Sequence, residues 1–130
     1  MTNVPVMTEV VPYQTNGINL SWTASGSSVV DGYAIYRSSY RDYGYSFITD
    51  AQNVLSSTDT GLSAGYSYYK VRTFKVVNGI RYYSAYTAPM GARVLAKPTV
   101  LGAYGTVDRT SIVIAWNAVT DASGYNIYRL

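Results

Sequence analysis

The sequence predicts an all-β protein, an antiparallel β-sandwich with almost no helix, and three observations predict it. Apolar and polar residues alternate with a period of two, as Ile18, Leu20 and Trp22 do with the residues between them, and this is the pattern of a half-buried strand. Turn residues separate these runs at short intervals. No stretch keeps the apolar spacing of a helix over three turns.

Seven strand-like runs precede residue 96, at about 5–13, 17–24, 32–38, 44–49, 54–58, 67–77 and 80–88. Between the last two, Asn78-Gly79 predicts a type I′ hairpin turn, since both residues tolerate a positive φ. Fifteen tyrosines suit such sheets because the ring packs on the pleated surface and the hydroxyl reaches water. Seven short strands with turns between them are typical of an immunoglobulin-like sandwich.

The end of the chain repeats its beginning. GYAIYR at 32–37 returns as GYNIYR at 124–129, and INLSW at 18–22 returns as IVIAW at 112–116. We therefore expect residues 1–95 to form a complete domain, and residues 96–130 to form the first three strands of a second module after a short linker at 92–98. The second module is too short to bury a core alone. We expect residues 97–130 to bind a protein partner or to mediate self-association.

Several segments between residues 5 and about 95 form a recognisable series: Pro5, INLSW at 18–22, GYAIYRSS at 32–39, SSTDTGLSAG at 56–65, YYKVRTFKVVNG at 68–79 and YYSAYT at 82–87. In composition and order this series resembles the fibronectin type III family, of the tandem kind found in bacterial surface and secreted proteins. The resemblance implies that the third, fourth, sixth and seventh strands share one sheet. It also implies a tyrosine whose hydroxyl bonds to the backbone, six residues after Leu62.

The position of that tyrosine stays open in the sequence. The spacing from Leu62 points to Tyr68, whereas the alternation with Val71 points Tyr69 inward, and we favour the alternation because shifting a strand by one residue inverts every side chain. Alternation and resemblance together predict these core residues: Trp22, Tyr33, Ile35, Leu62, Tyr69, Val71 and Trp116.

Composition excludes several classes of function. The chain has no cysteine and no histidine, which removes disulfides, thiolate nucleophiles and the most common metal ligand. The seven carboxylates are scattered over turns and form no motif, so we expect no enzyme activity, no catalytic or metal-binding residues and no cofactor. The net charge of +3 is spread thinly, which argues against nucleic acid binding. No apolar run is long enough for membrane insertion.

A binding face is predicted on the outer side of the sheet that the resemblance implies. Aromatic and basic residues interleave there and could stack on sugars or meet an acidic polymer: Tyr36, Tyr40, Tyr43, Lys70, Arg72 and Tyr82. The alternative interpretation is that these side chains only cover the sheet.

Three functions remain open. The first is a non-catalytic spacer, adhesion or interaction module of a tandem-repeat extracellular or cell-surface protein. The second is a structural or decorating protein of a virus particle, in which case the location is the virion. The third is a glycan-binding module.

Overall fold

The computed structural model describes residues 4–24, 30–98, 100–105 and 111–129. These residues form β-strands, turns and irregular segments, without a helix in the part of the chain described. The chain divides into two compact units, Met1–Val94 and Leu95–Leu130. Whether each unit is an independent domain stays a prediction.

The first unit is the immunoglobulin-like antiparallel sandwich that the sequence predicts. Its strands are β1 (Met7–Tyr13), β2 (Gly17–Trp22), β3 (Gly32–Ser38), β4 (Ser46–Ala51), β5 (Ser56–Asp59), β6 (Gly65–Val77), β7 (Ile80–Tyr83) and β8 (Met90–Val94). The first sheet has the order β1-β2-β5, and the second has the order β4-β3-β6-β7 with β8 also paired to β6. Asn78 and Gly79 adopt φ angles of 51° and 79°, which confirms the predicted turn between β6 and β7.

The core lies between the two sheets. Trp22 from β2 packs on Tyr33 from β3 with ring centroids 5.5 Å apart, and both side chains are buried. Ile35, Tyr69 and Val71 are fully buried beside them, and Leu62 is partly buried against this cluster. Burying each large apolar side chain stabilises the fold by about 1.5–3 kcal/mol, so this cluster accounts for much of the driving force.

The last predicted strand of the first unit, at 80–88, differs from the structure. β7 ends at Tyr83, and a separate strand, β8, follows at Met90–Val94. Between them, the hydroxyls of Ser84 and Thr87 accept hydrogen bonds from the backbone N–H groups of Thr73 and Val71, at 3.0 and 3.1 Å. Side chains thus replace part of the backbone ladder along β6. Because Ala92 and Val94 are buried in β8, residues 92–94 are not linker.

A polar cluster joins the two sheets near one end of the sandwich. The guanidinium of Arg37 on β3 and the hydroxyl of Tyr69 on β6 both donate to Oδ2 of Asp59 on β5, each at 2.7 Å. Burial, together with this hydrogen bond, raises the pKa of Tyr69. Tyr69 therefore points inward, as the alternation predicted, and its hydroxyl bonds to a carboxylate, which differs from the backbone bond that the resemblance implied.

The second unit contains two of the three predicted strands. β9 (Val100–Gly105) and β10 (Ile112–Trp116) form an antiparallel pair. Residues 124–129, predicted as a third strand, have no strand pairing in the structure. In the first unit the corresponding segment, GYAIYR, forms β3, which lies between β4 and β6 in its sheet. Within the described residues, the second unit has no strand that takes the place of β4 or of β6. A strand without a ladder partner gains no hydrogen bonds to offset its ordering entropy.

Candidate functional site

The outer face of the second sheet carries a group of rings and cations, which we call the aromatic–cation surface. On this face Tyr36 of β3 lies opposite Phe47 of β4 on one side and Lys70 of β6 on the other, and facing residues of paired strands point to the same side. The surface consists of Tyr36, Tyr45, Phe47, Lys70, Arg72, Tyr83 and Tyr86.

Arg72 is the centre of the aromatic–cation surface. Its guanidinium carbon lies 3.6 Å from the ring centroid of Tyr83, 4.6 Å from that of Tyr86 and 5.0 Å from that of Tyr36. Its Nε and Nη2 also donate to the hydroxyl of Tyr36, at 3.2 and 2.7 Å. A cation held against several rings is stabilised by their quadrupoles, so Arg72 fixes the positions of the three tyrosines.

Lys70 extends the aromatic–cation surface from Arg72 toward the start of β6. Its Nζ lies 4.4 Å from the ring centroid of Tyr45 and 5.5 Å from that of Tyr86. Burial raises the pKa of both these tyrosines. A tyrosine hydroxyl is protonated at neutral pH in any case and can donate a hydrogen bond. Tyr36 packs edge-on against Phe47 and Tyr86, with centroids 5.7 and 5.1 Å apart.

The two cations of this surface have no carboxylate partner within the described residues. The ion pairs there join Arg37 to Asp59, Arg41 to Asp42 and Arg81 to Asp50. Lys70 and Arg72 belong to none of them; both contact tyrosine rings, and Arg72 also donates to the Tyr36 hydroxyl. The aromatic–cation surface is therefore positively charged.

The structure brings together three of the six predicted binding residues: Tyr36, Lys70 and Arg72. Tyr40 and Tyr43 lie in the loop between β3 and β4, where they stack on each other with centroids 4.7 Å apart. Ser38 orders this loop, because its Oγ donates to the Tyr43 carbonyl and accepts from the Tyr40 N–H.

Tyr82 lies opposite Lys75, so the alternation of β6 places both on the other face from Arg72. The ring from β7 that contacts Arg72 belongs to Tyr83, because the turn at Asn78-Gly79 sets the register of the hairpin. The predicted set also omits Phe47 and Tyr86. The alternation of side chains along β4 could have predicted that Phe47 lies on this face. Tyr86 lies in the segment after β7 that forms no strand, so no alternation predicts its position.

The second unit exposes an apolar groove with a volume of about 340 Å³, lined by Pro98, Val100, Ile114, Trp116, Tyr125, Asn126, Ile127 and Tyr128. Trp116, a predicted core residue, is half-buried here. The expected partner binding or self-association through residues 97–130 stays a prediction.

The described residues offer no group of three or more acidic, histidine or cysteine side chains that could hold a metal ion. They also include no helix that could cross a membrane. Three of the aspartates form ion pairs, and Asp31 accepts a hydrogen bond from the Val76 N–H at 2.6 Å.

Comparison with known proteins finds similarity to part of a longer enzyme and to solved structures of the same fold. No protein-family model matches the sequence. Exoglucanase B of Cellulomonas fimi is 32% identical over 137 aligned positions, which cover 88% of this chain and 11% of the exoglucanase. The chain therefore spans about a tenth of the length of this relative.

Two solved structures share the fold. A Fn3-like protein from Clostridium thermocellum is 28% identical, with a TM-score of 0.51 over 65% of this chain and 86% of that protein. A beta-1,2-glucanase from Parabacteroides distasonis is 22% identical, with a TM-score of 0.59 over 72% of this chain and 13% of the glucanase. The chain is thus similar in fold to a Fn3-like protein and to a small part of a glucanase.

Proposed function

We propose that the chain is a non-catalytic, fibronectin type III-like module that acts as a spacer and interaction segment in an extracellular, multidomain carbohydrate-active protein. The observation that carries this proposal is the path of the chain through the first unit: the chain enters at one end of the sandwich and leaves at the other. The exoglucanase alignment supports the carbohydrate-active context, since almost the whole chain matches a small part of a much longer enzyme.

The path of the chain follows from the strand pairings. Met7 pairs with Trp22, whose ring packs on Tyr33, and Tyr33 pairs with Thr73 near one end of β6. Val94 pairs with Gly65 at the other end of β6. At about 3.3 Å per residue, the stretch of β6 between Gly65 and Thr73 spans about 25 Å. The chain therefore enters the sandwich at one end and leaves it at the other, as a spacer requires.

Spin labels test the spacer directly. The chain has no cysteine, so cysteines at the exposed positions Val6 and Leu95 provide two unique labelling sites. We expect a single narrow peak in the distribution of distances between the two labels, centred at about 25 Å. Only the flexible label linkers should add to its width. A broad distribution, or labels in near contact, would contradict a rigid spacer.

The absence of catalysis is tested on the same protein. Among the described aspartates, Asp42, Asp50 and Asp59 form ion pairs and Asp31 accepts a backbone hydrogen bond, which supports a structural use. We expect no reducing sugar to be released from soluble β-1,4- or β-1,2-glucans. Hydrolysis that survives purification and is lost on Asp59→Asn would overturn the proposal. The virion alternative gains no support from the comparisons and stays a prediction.

A further inference from the structure

The aromatic–cation surface combines exposed aromatic rings with a cation that has no acidic partner among the described residues. Phe47 and Tyr86 are 52% and 40% exposed, although such rings contribute most to stability when buried. Lys70 lies next to Tyr86 and carries a charge with no carboxylate partner in the described residues. A surface with open rings beside an uncompensated cation is suited to a ligand that offers both apolar C–H groups and a negative charge.

The surface is also rigid enough to select a ligand. Arg72 is held between three tyrosine rings and bonds to the Tyr36 hydroxyl twice. The rings therefore do not have to be ordered when a ligand binds, which lowers the entropic cost of association. Lys70 keeps three donors on a flexible stem at the edge of this platform, which suits it to contact an anionic group.

We propose that the aromatic–cation surface binds an anionic polysaccharide, one whose sugar rings carry carboxylate groups. The C–H faces of the sugars stack on Phe47 and Tyr86, because the electron-rich ring face attracts polarised C–H groups. A carboxylate lies within reach of Lys70, with Arg72 adding positive potential from beneath. This inference rests on the proposed function for its choice of carbohydrate, and charge complementarity then selects an acidic one.

Two soluble polymers with the same backbone test the role of charge. Carboxymethyl cellulose and hydroxyethyl cellulose are both substituted β-1,4-glucans, and they differ in whether the substituent is anionic. In affinity electrophoresis and titration calorimetry we expect the whole chain to bind carboxymethyl cellulose, and to bind polygalacturonate similarly. Binding should weaken as salt rises, since exposed charges are screened over about 10 Å at 0.1 M salt.

A matched pair of variants tests the site. Lys70→Gln removes the charge from the proposed surface, whereas Lys75→Gln removes the same charge from the same strand on the other face. We expect Lys70→Gln to weaken binding to carboxymethyl cellulose about fivefold and Lys75→Gln to change it less than about twofold, the range of an exposed charge contact. Phe47→Ser should weaken binding too, at little cost to stability, because Phe47 is half-exposed.

Four outcomes would overturn this inference. They are no binding to either acidic polymer, equal binding to hydroxyethyl cellulose, equal losses in the two lysine variants, and equal or tighter binding to single-stranded oligothymidine, which would indicate a general polyanion surface. None of them affects the spin-label distance, so a failure of the binding site is distinguishable from a failure of the spacer proposal.

Discussion

The same hexapeptide pattern occurs twice in this chain and has two different structures. GYAIYR forms β3, in which Tyr33 is 3% exposed and Ile35 is fully buried. GYNIYR at 124–129 forms no strand, and its equivalent residues Tyr125 and Ile127 are 39% and 61% exposed. Since the sequences are almost the same, the difference comes from the strands around them.

The comparison separates local from long-range causes of structure. IVIAW forms a strand with β9 as INLSW does with β1, so a neighbouring hairpin partner is sufficient for this pair. The contact between Trp116 and Tyr125, at 5.4 Å, even matches the 5.5 Å contact between Trp22 and Tyr33. Residues 124–129 do not form the third strand, because its equivalent in the first unit, β3, depends on pairing with β4 and with the distant β6.

The largest expected effect is the difference between the two tryptophans. Trp22→Ala should destabilise the first unit by about 3–5 kcal/mol, because it empties a buried aromatic site. Trp116→Ala should change unfolding of the first unit by less than about 0.5 kcal/mol, since Trp116 belongs to the second unit. Urea unfolding followed by far-UV circular dichroism measures both. Similar losses in the two variants would mean that the units share one core.

The paired glycines should give the next largest difference. A Cβ at Gly32 would lie 2.8 Å from the Ala51 carbonyl oxygen and 3.0 Å from the Phe74 ring, whereas nothing lies within 4 Å of one at Gly124. We expect Gly32→Ala to cost about 1–3 kcal/mol of stability through overpacking. Gly124→Ala should be neutral within about 0.5 kcal/mol. The same urea measurements apply, and a neutral Gly32→Ala would show that β3 is packed less closely than described.

Tyr69 donates a hydrogen bond to Asp59 in the first unit, and pH tests its contribution to stability. Tyr69→Phe should cost about 1.5 kcal/mol at pH 8, because it removes a hydrogen bond to a charged group. Burial raises the folded pKa of Tyr69 above the unfolded value near 10. Its contribution is therefore complete below pH 10 and is lost as pH rises from 10 toward the folded pKa.

The stability of the native chain should accordingly fall more steeply above pH 10 than that of Tyr69→Phe, because phenylalanine cannot ionise. Urea unfolding at pH 8 and pH 10.5 gives the comparison. Parallel losses in the two proteins would place the alkaline transition in other tyrosines.

The smallest expected difference is between the paired arginines. Arg37 donates to Asp59 across the two sheets, whereas Arg129, its equivalent, is exposed. Arg37→Gln should cost about 1 kcal/mol or less, since 37% of the side chain is exposed and solvent screens the pair. Arg129→Gln should leave stability unchanged. A larger cost for Arg129→Gln in thermal unfolding would indicate an ion pair in the second unit.

Much of the fold was predictable because it depends on local pattern. The alternation of apolar and polar residues, with the turn residues between the runs, predicts the strands of the first unit. The hairpin turn at Asn78-Gly79 follows from the backbone preferences of these two residues alone. β8 was missed because Met90–Val94 is short and follows Pro89. The hydroxyls of Ser84 and Thr87 lie in the gap before β8 and accept hydrogen bonds from β6 residues 11 and 16 positions earlier in the chain. No local sequence pattern reveals such contacts.

The aromatic–cation surface was less predictable than the core. Alternation places Tyr36, Lys70 and Arg72 on one face, and the structure brings them together. The alternation alone could not predict that Tyr83 and Tyr86 enclose Arg72. These contacts depend on the register of the hairpin and on an irregular segment. Arg72 therefore holds the surface together, and replacing it would disturb the rings as well as any ligand.

Hydrogen exchange of the whole chain compares the two copies in one molecule and tests most directly whether partner strands decide their structure. At low concentration, which limits any self-association through the exposed apolar groove, we expect the amides of 32–38 to exchange more than about 1,000 times slower than in an unfolded chain. The amides of 124–129 should exchange at nearly the unfolded rate. Similar strong protection in both copies would contradict this account, because it would mean that GYNIYR forms a stable strand without the equivalents of β4 and β6.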